Sequence, residues 1–156
     1  MPIMTLADAV SWREQLGREG TRVVFTNGVF DILHPGHVRY LTEARRHGDA
    51  LIVAVNSDRS VRAIKGPDRP INPEQERAEV LAGLAVVDVA VVFDQDTPHD
   101  ILQALQPDVL VKGADWAQDA IVGRDIVEAR GGTVIRVPIE QGHSTTGLVD
   151  KLKNRT

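Results

Sequence analysis

Short apolar runs alternate along this chain with segments in which apolar residues recur every three or four positions. Residues 50–56 are apolar at nearly every position, which is typical of a strand covered on both faces. Val38, Leu41 and Ala44 instead fall on one stripe of a helix that Gly48 ends. The pattern predicts strands over residues 22–28, 50–56, 87–93, 108–113 and 133–138, and helices over residues 6–19, 37–48, 72–84, 97–105, 123–129 and 144–153. At the start of the third of these helices, Asn72 is expected to be the cap, with Gln75 as its capping-box partner.

This alternation predicts an α/β fold, a Rossmann-like doubly wound parallel sheet of five strands with helices on both faces. The 156 residues suit one domain over residues 1–156, with residues 1–20 as an N-terminal helical extension. Such sheets bind ligands beyond the carboxyl ends of their strands, where the strand order reverses. Three unusual stretches are predicted to lie there: TNGVFDILHPGH, VKGADW and EQGHSTTG.

The composition of the chain argues against several classes of protein function. The net charge of -4 and the 4% of aromatic residues argue against a nucleic-acid partner, which needs a basic face or stacking platforms. The chain has no cysteine, so disulfides, thiolate zinc sites and a cysteine nucleophile are excluded. Because no segment resembles a signal peptide or a membrane span, we expect a cytoplasmic protein without a membrane partner.

The sequence HPGH, residues 34–37, joins the first predicted strand to the next helix. Unpaired N–H groups and the helix dipole favour an anion at such a helix start. Gly36 permits close approach of a phosphate, and His34 and His37 can both face it as donors. The alternative is that one imidazole caps the helix and the other is exposed. Since no third ligand has a recognisable spacing, we predict no protein-ligated metal.

For the hydroxyl and basic residues outside HPGH, the sequence leaves two interpretations open in each case. Ser144 suits a simple N-cap, but Ser144 to Thr146 together also suit a polyphosphate cradle. Lys65 and Arg69 are either solvated charges or contacts for a second anionic substrate. Arg77 either faces the same way or pairs with Glu74 or Glu76.

The stretch VKGADW follows the fourth strand, which is expected to neighbour the first at the point of reversal. Lys112 can reach a phosphate, Gly113 permits close approach to a flat base, and Asp115 can accept from a nucleoside. Trp116 either stacks on the base or plugs the edge of the core, and the second role is slightly favoured.

These stretches carry a family resemblance over residues 22–152. GVFDILHPGH resembles the G-x-F-D-x-x-H-x-G-H signature of the cytidylyltransferase-like nucleotidyltransferases, and HSTTG resembles the S-T-T element of their second motif. Residues 26–73 and QPDVLVKGADW are very similar to the heptose 1-phosphate adenylyltransferases, in a form without a fused kinase. One departure is Val29, where those enzymes usually have cysteine, at a position expected to be structural.

The resemblance implies an enzyme on the HxGH type of this fold. A heptose 1-phosphate attacks the α-phosphate of ATP, pyrophosphate leaves, and the ADP-heptose product serves bacterial surface glycans such as lipopolysaccharide. Mg²⁺ is implied as the cofactor, bound mainly through the ATP phosphates, and the enzyme is expected to be a homodimer or a higher homo-oligomer.

The resemblance also implies roles for individual residues. The catalytic residues are His34, His37, Lys65, Ser144 and Thr145. The nucleotide contacts Thr26, Asn27, Gly28, Phe30, Asp31, Gly36, Lys112, Gly113, Asp115 and Thr146. The sugar phosphate contacts Lys65, Arg69 and Arg77.

Two rival functions remain at this stage. One is a cytidylyltransferase that acts on glycerol 3-phosphate or another small phosphorylated alcohol. The other is a non-catalytic nucleotide sensor, which would have no need for the transition-state donors His34 and His37.

Overall fold

The computed structural model of the protein describes residues 2–138 and 145–155, with the backbone alone at Thr145. Five parallel strands form one sheet in the order β3-β2-β1-β4-β5, which confirms the predicted doubly wound fold. The strands are β1 (Val23–Gly28), β2 (Ala50–Asn56), β3 (Val89–Phe93), β4 (Val109–Gly113) and β5 (Thr133–Val137). The helices are α1 (Leu6–Arg18), α2 (Pro35–Arg45), α3 (Asp58–Lys65), α4 (Glu74–Ala82), α5 (His99–Leu105), α6 (Arg124–Ala129) and α7 (Thr145–Lys153), with a short 3₁₀ helix at Gln118–Ala120.

Side chains of successive strand residues enter two different cores, as the period of two in a strand requires. Leu51, Val53 and Val55 of β2 join a core with residues of α2 and α4 on one face. Ile52 and Ala54 join a second core with α1, α5 and α6 on the other face. Burial on both faces explains why β2 is apolar along its whole length.

The N-terminal helix α1 packs on its own sheet. Ala9 is fully buried, and Arg13 forms an ion pair with Asp108 at 3.1 Å. The same Asp108 carboxylate accepts a hydrogen bond from the backbone N–H of Val23 at 2.8 Å. Helix α1 is therefore linked to the amino ends of β1 and β4.

Residues 2–4 run along the outer edge of β3. Ile3 pairs with Ala90 in a parallel bridge, the Met4 N–H donates to the Ala90 carbonyl, and the Ala90 N–H donates to the Pro2 carbonyl, both at 3.0 Å. This part of the β3 edge is therefore hydrogen-bonded to the chain's own N-terminal segment.

Around α3 and α4, one helix was missed and one predicted cap was wrong. Helix α3, which was not predicted, is capped by Ser57, whose Oγ accepts from the Ser60 N–H. Helix α4 begins at Glu74 without a side-chain cap, so Asn72 does not cap it and Gln75 has no capping-box partner. The Asn72 amide instead donates to the Asp31 carbonyl at 2.8 Å.

The sheet opens between β1 and β4. Strand β1 pairs with β2 over six residues, but with β4 only at Val24–Val109 and Phe25–Leu110. Helices leave opposite faces of the sheet on the two sides of this boundary, as expected where the strand order reverses. Among the residues that the structure describes, no helix is both long and apolar enough to cross a bilayer.

Candidate functional site

A cleft of about 660 Å³ lies over the carboxyl ends of β1 and β4. The structure brings together most of the residues expected at one site: Asn27, Gly28, Phe30, His34, Gly36, His37, Lys65, Arg69, Lys112, Gly113, Asp115 and Thr146. Ser144 lies outside the described residues, and so does the side chain of Thr145. Their expected phosphate contacts therefore stay predictions.

Both histidines take part in the start of α2. His34 is the N-cap residue, and its Nδ1 accepts a hydrogen bond from the Gly36 N–H at 3.1 Å. Nδ1 of His37 accepts from the His34 N–H at 3.3 Å, which completes a capping box. Because each Nδ1 is an acceptor, each neutral imidazole carries its proton on Nε2. Capping through Nδ1 thus fixes this tautomer, and the turn holds two Nε2–H donors.

The two imidazoles are stacked, with ring centroids 3.9 Å apart and an interplanar angle of 30°. Burial, with a smaller contribution from the neighbouring His34, lowers the pKa of His37 to about 4. His37 is therefore a neutral donor at neutral pH. A neutral donor can stabilise charge that develops on an oxygen without first releasing or taking up a proton.

Phe30 fixes the opposite side of His37. Its backbone has φ 48°, a region that non-glycine residues rarely adopt and that is often found at functional sites. Its ring meets His37 edge-on, with centroids 5.5 Å apart. A Cβ on Gly28 would lie 2.9 Å from Phe30 Cε2. Gly28 therefore ends β1 as a glycine, which leaves room for this ring.

Asn27 lines the cleft and carries a buried acceptor. Its Oδ1 is buried and has no hydrogen-bond partner among the described residues. A buried amide oxygen without a partner costs about 1–3 kcal/mol. A ligand that donates to Asn27 would remove that cost.

Lys112 near the end of β4, with Asp115 and Trp116 just after it, forms one wall of the cleft. Burial lowers the pKa of Lys112 to about 8, and nearby Asp115 partly opposes that shift. Lys112 Nζ lies 5.5 Å from the centroid of the Trp116 ring. Trp116 is 47% exposed and lines the cleft, so the slightly favoured interpretation of Trp116 as a plug of the core was wrong.

Asp31 and Thr26 line no part of the cleft. Oδ2 of Asp31 accepts from Arg69 Nε at 3.1 Å and from the Ile71 N–H at 2.7 Å, and Oδ1 accepts from the Asn72 N–H at 2.8 Å. These contacts fix the loop over residues 69–72 beside the cleft. Thr26 is fully buried, and its Oγ1 donates to the Val111 carbonyl at 2.9 Å. The structure therefore does not support either residue as a nucleotide contact.

Arg77 is not placed to bind a substrate phosphate. Its side chain is fully buried and pairs with Asp58 at 2.9 Å, rather than with Glu74 or Glu76. It also donates to three backbone carbonyls, those of Val29, Asn56 and Asn72. Arg77 therefore joins α4 to the carboxyl ends of β1 and β2, and the predicted substrate contact was wrong.

Six lining residues were missed or misjudged from sequence: Val29, Arg39, Tyr40, Glu43, Val137 and Pro138. Arg39, Tyr40 and Glu43 of α2 line the cleft, three to seven residues beyond Gly36. That helical spacing from Gly36 was the signal that could have found them. Val29, expected to be structural, also lines the cleft, so the departure from cysteine falls within the site.

A doubly wound sheet binds ligands where its strand order reverses, and here a histidine-capped helix begins over that point. The chain belongs to the cytidylyltransferase-like family, whose family model matches residues 25–148.

Among curated relatives, the bifunctional protein HldE of Hyphomonas neptunium is 58% identical over 130 residues, which cover 83% of this chain and 27% of that protein. The bifunctional protein HldE of Syntrophotalea carbinolica is 51% identical over 138 residues, which cover 88% of this chain and 28% of that protein. The chain thus spans under a third of the length of these relatives.

Similar solved structures include the following two. One is the lipopolysaccharide core biosynthesis protein from Thermoplasma volcanium, 33% identical with a TM-score of 0.64, where the match covers 80% of this chain and 100% of that one. The other is the pantoate-beta-alanine ligase from Francisella tularensis, with a TM-score of 0.67 and coverage of 100% of this chain and 74% of that one. At 20% identity, the second likeness shows the fold alone.

Proposed function

We propose that this chain transfers the adenylyl group of ATP to a heptose 1-phosphate, releasing pyrophosphate and forming ADP-heptose for bacterial surface glycan, such as lipopolysaccharide. The single observation that carries the proposal is the pair of Nε2–H donors held by the capping box at the start of α2. The similarity to HldE proteins and to a lipopolysaccharide core biosynthesis protein supports the choice of acceptor.

The proposed step is an in-line displacement. An oxygen of the sugar phosphate forms a bond to the α-phosphorus as the bond from that phosphorus to the pyrophosphate oxygen breaks. His34 and His37 donate to oxygens on which negative charge grows, and the backbone N–H groups at the start of α2 add to this stabilisation. No covalent intermediate with the protein is required, because positioning and electrostatic stabilisation supply the rate enhancement.

We assign the sugar phosphate to the side of the cleft formed by Lys65 and Arg69. Lys65 is exposed at the end of α3. Arg69 is 11% exposed in its side chain, and Asp31 holds its Nε at 3.1 Å. A guanidinium held at Nε still offers its terminal N–H groups in a fixed plane, which suits bidentate phosphate binding. Arg69 is therefore the preorganised contact and Lys65 the adaptable one.

The nucleotide belongs on the other side, where Lys112, Asp115, Trp116 and Thr146 line the cleft. Trp116 offers an exposed ring for the base. Lys112 adds a positive charge for the phosphates, and the buried Oδ1 of Asn27 can accept a hydrogen bond from the nucleotide.

We propose Mg²⁺ as the cofactor, which neutralises part of the phosphate charge when it is bound. Within residues 2–138 and 145–155, no group of three His, Asp or Glu side chains could hold a metal. Two carboxylates line the cleft, Glu43 and Asp115, and Glu43 is paired with Arg46 at 3.0 Å. These two side chains are the ones that would hold the ion, with the ATP phosphates as the main ligands. The single nucleotidyltransferase domain over residues 1–156, the homo-oligomer and the cytoplasmic location also stay proposals.

The test is pyrophosphate release from each of ATP, CTP, GTP and UTP, with Mg²⁺ and either anomer of D-glycero-D-manno-heptose 1-phosphate. We expect release with ATP and one anomer. Release with CTP and glycerol 3-phosphate, but with no heptose phosphate, would keep the chemistry and replace the substrate. Nucleotide binding without release under any of these conditions would instead support a sensor.

Lys112 predicts a pH dependence of ATP binding. Its pKa of about 8 means that the ammonium is present below that pH and lost above it. Phosphate groups, with a last pKa of about 6, are already ionised in this range. The affinity for ATP should therefore be highest below pH 8 and fall above it, and binding near pH 8 should take up a proton.

Calorimetry of ATP binding in buffers of different ionisation enthalpy measures that proton uptake. Lys112→Arg keeps a positive charge at all these pH values, so it should bind ATP without proton uptake and with a flat pH profile. Equal proton uptake by wild type and Lys112→Arg would assign the titration to another group.

A further inference from the structure

The gap between β1 and β4 is closed by side chains. Backbone pairing of the two strands ends at Phe25–Leu110. The next carbonyl along β4, that of Val111, accepts from Thr26 Oγ1 at 2.9 Å and from Tyr40 Oη at 3.2 Å. The two hydroxyl oxygens are themselves 2.9 Å apart. The three oxygens form a closed triangle directly beneath the cleft.

The two hydroxyls supply two protons for these three oxygen–oxygen contacts. Either both protons go to the two lone pairs of the carbonyl, or one hydroxyl donates to the other, which then donates to the carbonyl. In both arrangements the buried Val111 carbonyl has a partner. Burial raises the pKa of Tyr40 to about 12, partly opposed by its hydrogen bond with Thr26. The phenol therefore remains a donor throughout the neutral range.

Tyr40 connects this triangle to the histidine turn. It lies three residues after His37 and four after Gly36, so all three share one face of α2, and all three line the cleft. The neighbours of Tyr40 on the helix do not do the same. Leu41 is buried in the core, and Val38 is 41% exposed. Of these side chains, Tyr40 is the one that bonds the beginning of α2 to β4.

We propose that Tyr40 is a positioning residue, whose hydroxyl fixes the first turn of α2, and so His37, relative to the Lys112–Gly113 end of β4. It does not touch the reacting atoms, but it sets the distance between a donor on α2 and a donor on β4. Misplacement of a catalytic group by about 1 Å can cost on the order of 100-fold in rate. The activity readout for Tyr40 rests on the function proposed above.

The test is Tyr40→Phe, which keeps the ring and removes the hydroxyl. Thr26 still satisfies the Val111 carbonyl, so the thermal midpoint should change little. We expect kcat for pyrophosphate release to fall about 10-fold or more, with the KM for both substrates nearly unchanged. The matched control is Thr42→Val, which removes a hydroxyl bonded to the Val38 carbonyl at 2.7 Å on the exposed side of the same helix. It should leave kcat unchanged.

A second measurement does not depend on the reaction. The His37 imidazole is followed by NMR through a pH titration. Its midpoint should lie near 4 in wild type, and in Tyr40→Phe it should move toward the ordinary value of about 6.5 as the turn loosens and burial is lost. If wild type releases no pyrophosphate, the proposed function fails, whereas this titration still tests Tyr40.

Thr26→Val provides the complementary variant, since it leaves the bond from Tyr40 to Val111. The double variant removes both donors to the buried Val111 carbonyl, so it should lose more activity than the product of the two single losses. An unchanged His37 midpoint together with wild-type kcat in Tyr40→Phe would overturn the proposal. So would equal losses of kcat in Tyr40→Phe and Thr42→Val.

Discussion

Replacement of His37 with alanine is expected to lower the turnover number by about 10²–10³-fold without unfolding the domain. The change removes one of the two Nε2–H donors at the start of α2. It also removes the acceptor for the His34 N–H, which costs about 1 kcal/mol of stability, the usual value of a cap. The turnover number should therefore fall strongly while the domain stays folded. Pyrophosphate release at saturating substrate, measured beside thermal unfolding, separates the two.

His99→Ala is the matched control for this substitution. His99 is half exposed on α5 and lies 3.5 Å from Asp100, outside the lining of the cleft. It should retain the wild-type turnover. If His37→Ala kept more than about a tenth of the turnover, the electrostatic role assigned to its imidazole would be wrong.

Arg77→Leu is expected to destabilise the fold by about 3–5 kcal/mol, because it removes one partner of a buried ion pair. Three backbone carbonyls, those of Val29, Asn56 and Asn72, also lose their donor. For a domain of this size, the thermal midpoint should fall by about 6–20 °C. Urea denaturation followed by circular dichroism gives the free energy of unfolding.

The alternative role for Arg77 predicts a different result. If Arg77 bound the sugar phosphate, Arg77→Leu would raise the KM for that substrate and leave the midpoint of unfolding unchanged. Arg59→Leu is the control for the loss of an arginine that forms ion pairs. Arg59 is exposed and pairs with Asp94 and Asp96, so its replacement should change the midpoint little.

The sheet could be predicted from sequence because its strands are marked twice, by apolar runs and by the polar segments between them. All five strands were found with their ends in error by at most two residues. Helix α3 was missed because its eight residues, DRSVRAIK, are mostly polar and one of the few apolar ones, Ile64, is 49% exposed. The Ser57 cap was the available signal.

The cleft was predicted because HPGH and VKGADW follow β1 and β4, and the strand order brings the two strands together. What the sequence could not distinguish was a charged side chain that faces a ligand from one that faces the protein. Asp31, Arg69 and Arg77 all lie near the strand ends. In the structure, residues 69–72 fold back onto Asp31. Arg69 then lines the cleft, whereas Asp31 and Arg77 bond to the protein around it.

The hydrogen bonds of residues 2–4 to β3 affect the tendency of this protein to aggregate through its sheet edge. An uncovered edge strand can accept a strand from a second molecule and so begin aggregation. Because Pro2 and Met4 already bond to both polar backbone groups of Ala90, an incoming strand would first have to displace the chain's own N-terminal segment. Residues 2–4 thus protect the β3 edge against pairing with another molecule, so their removal should lower solubility before it affects catalysis.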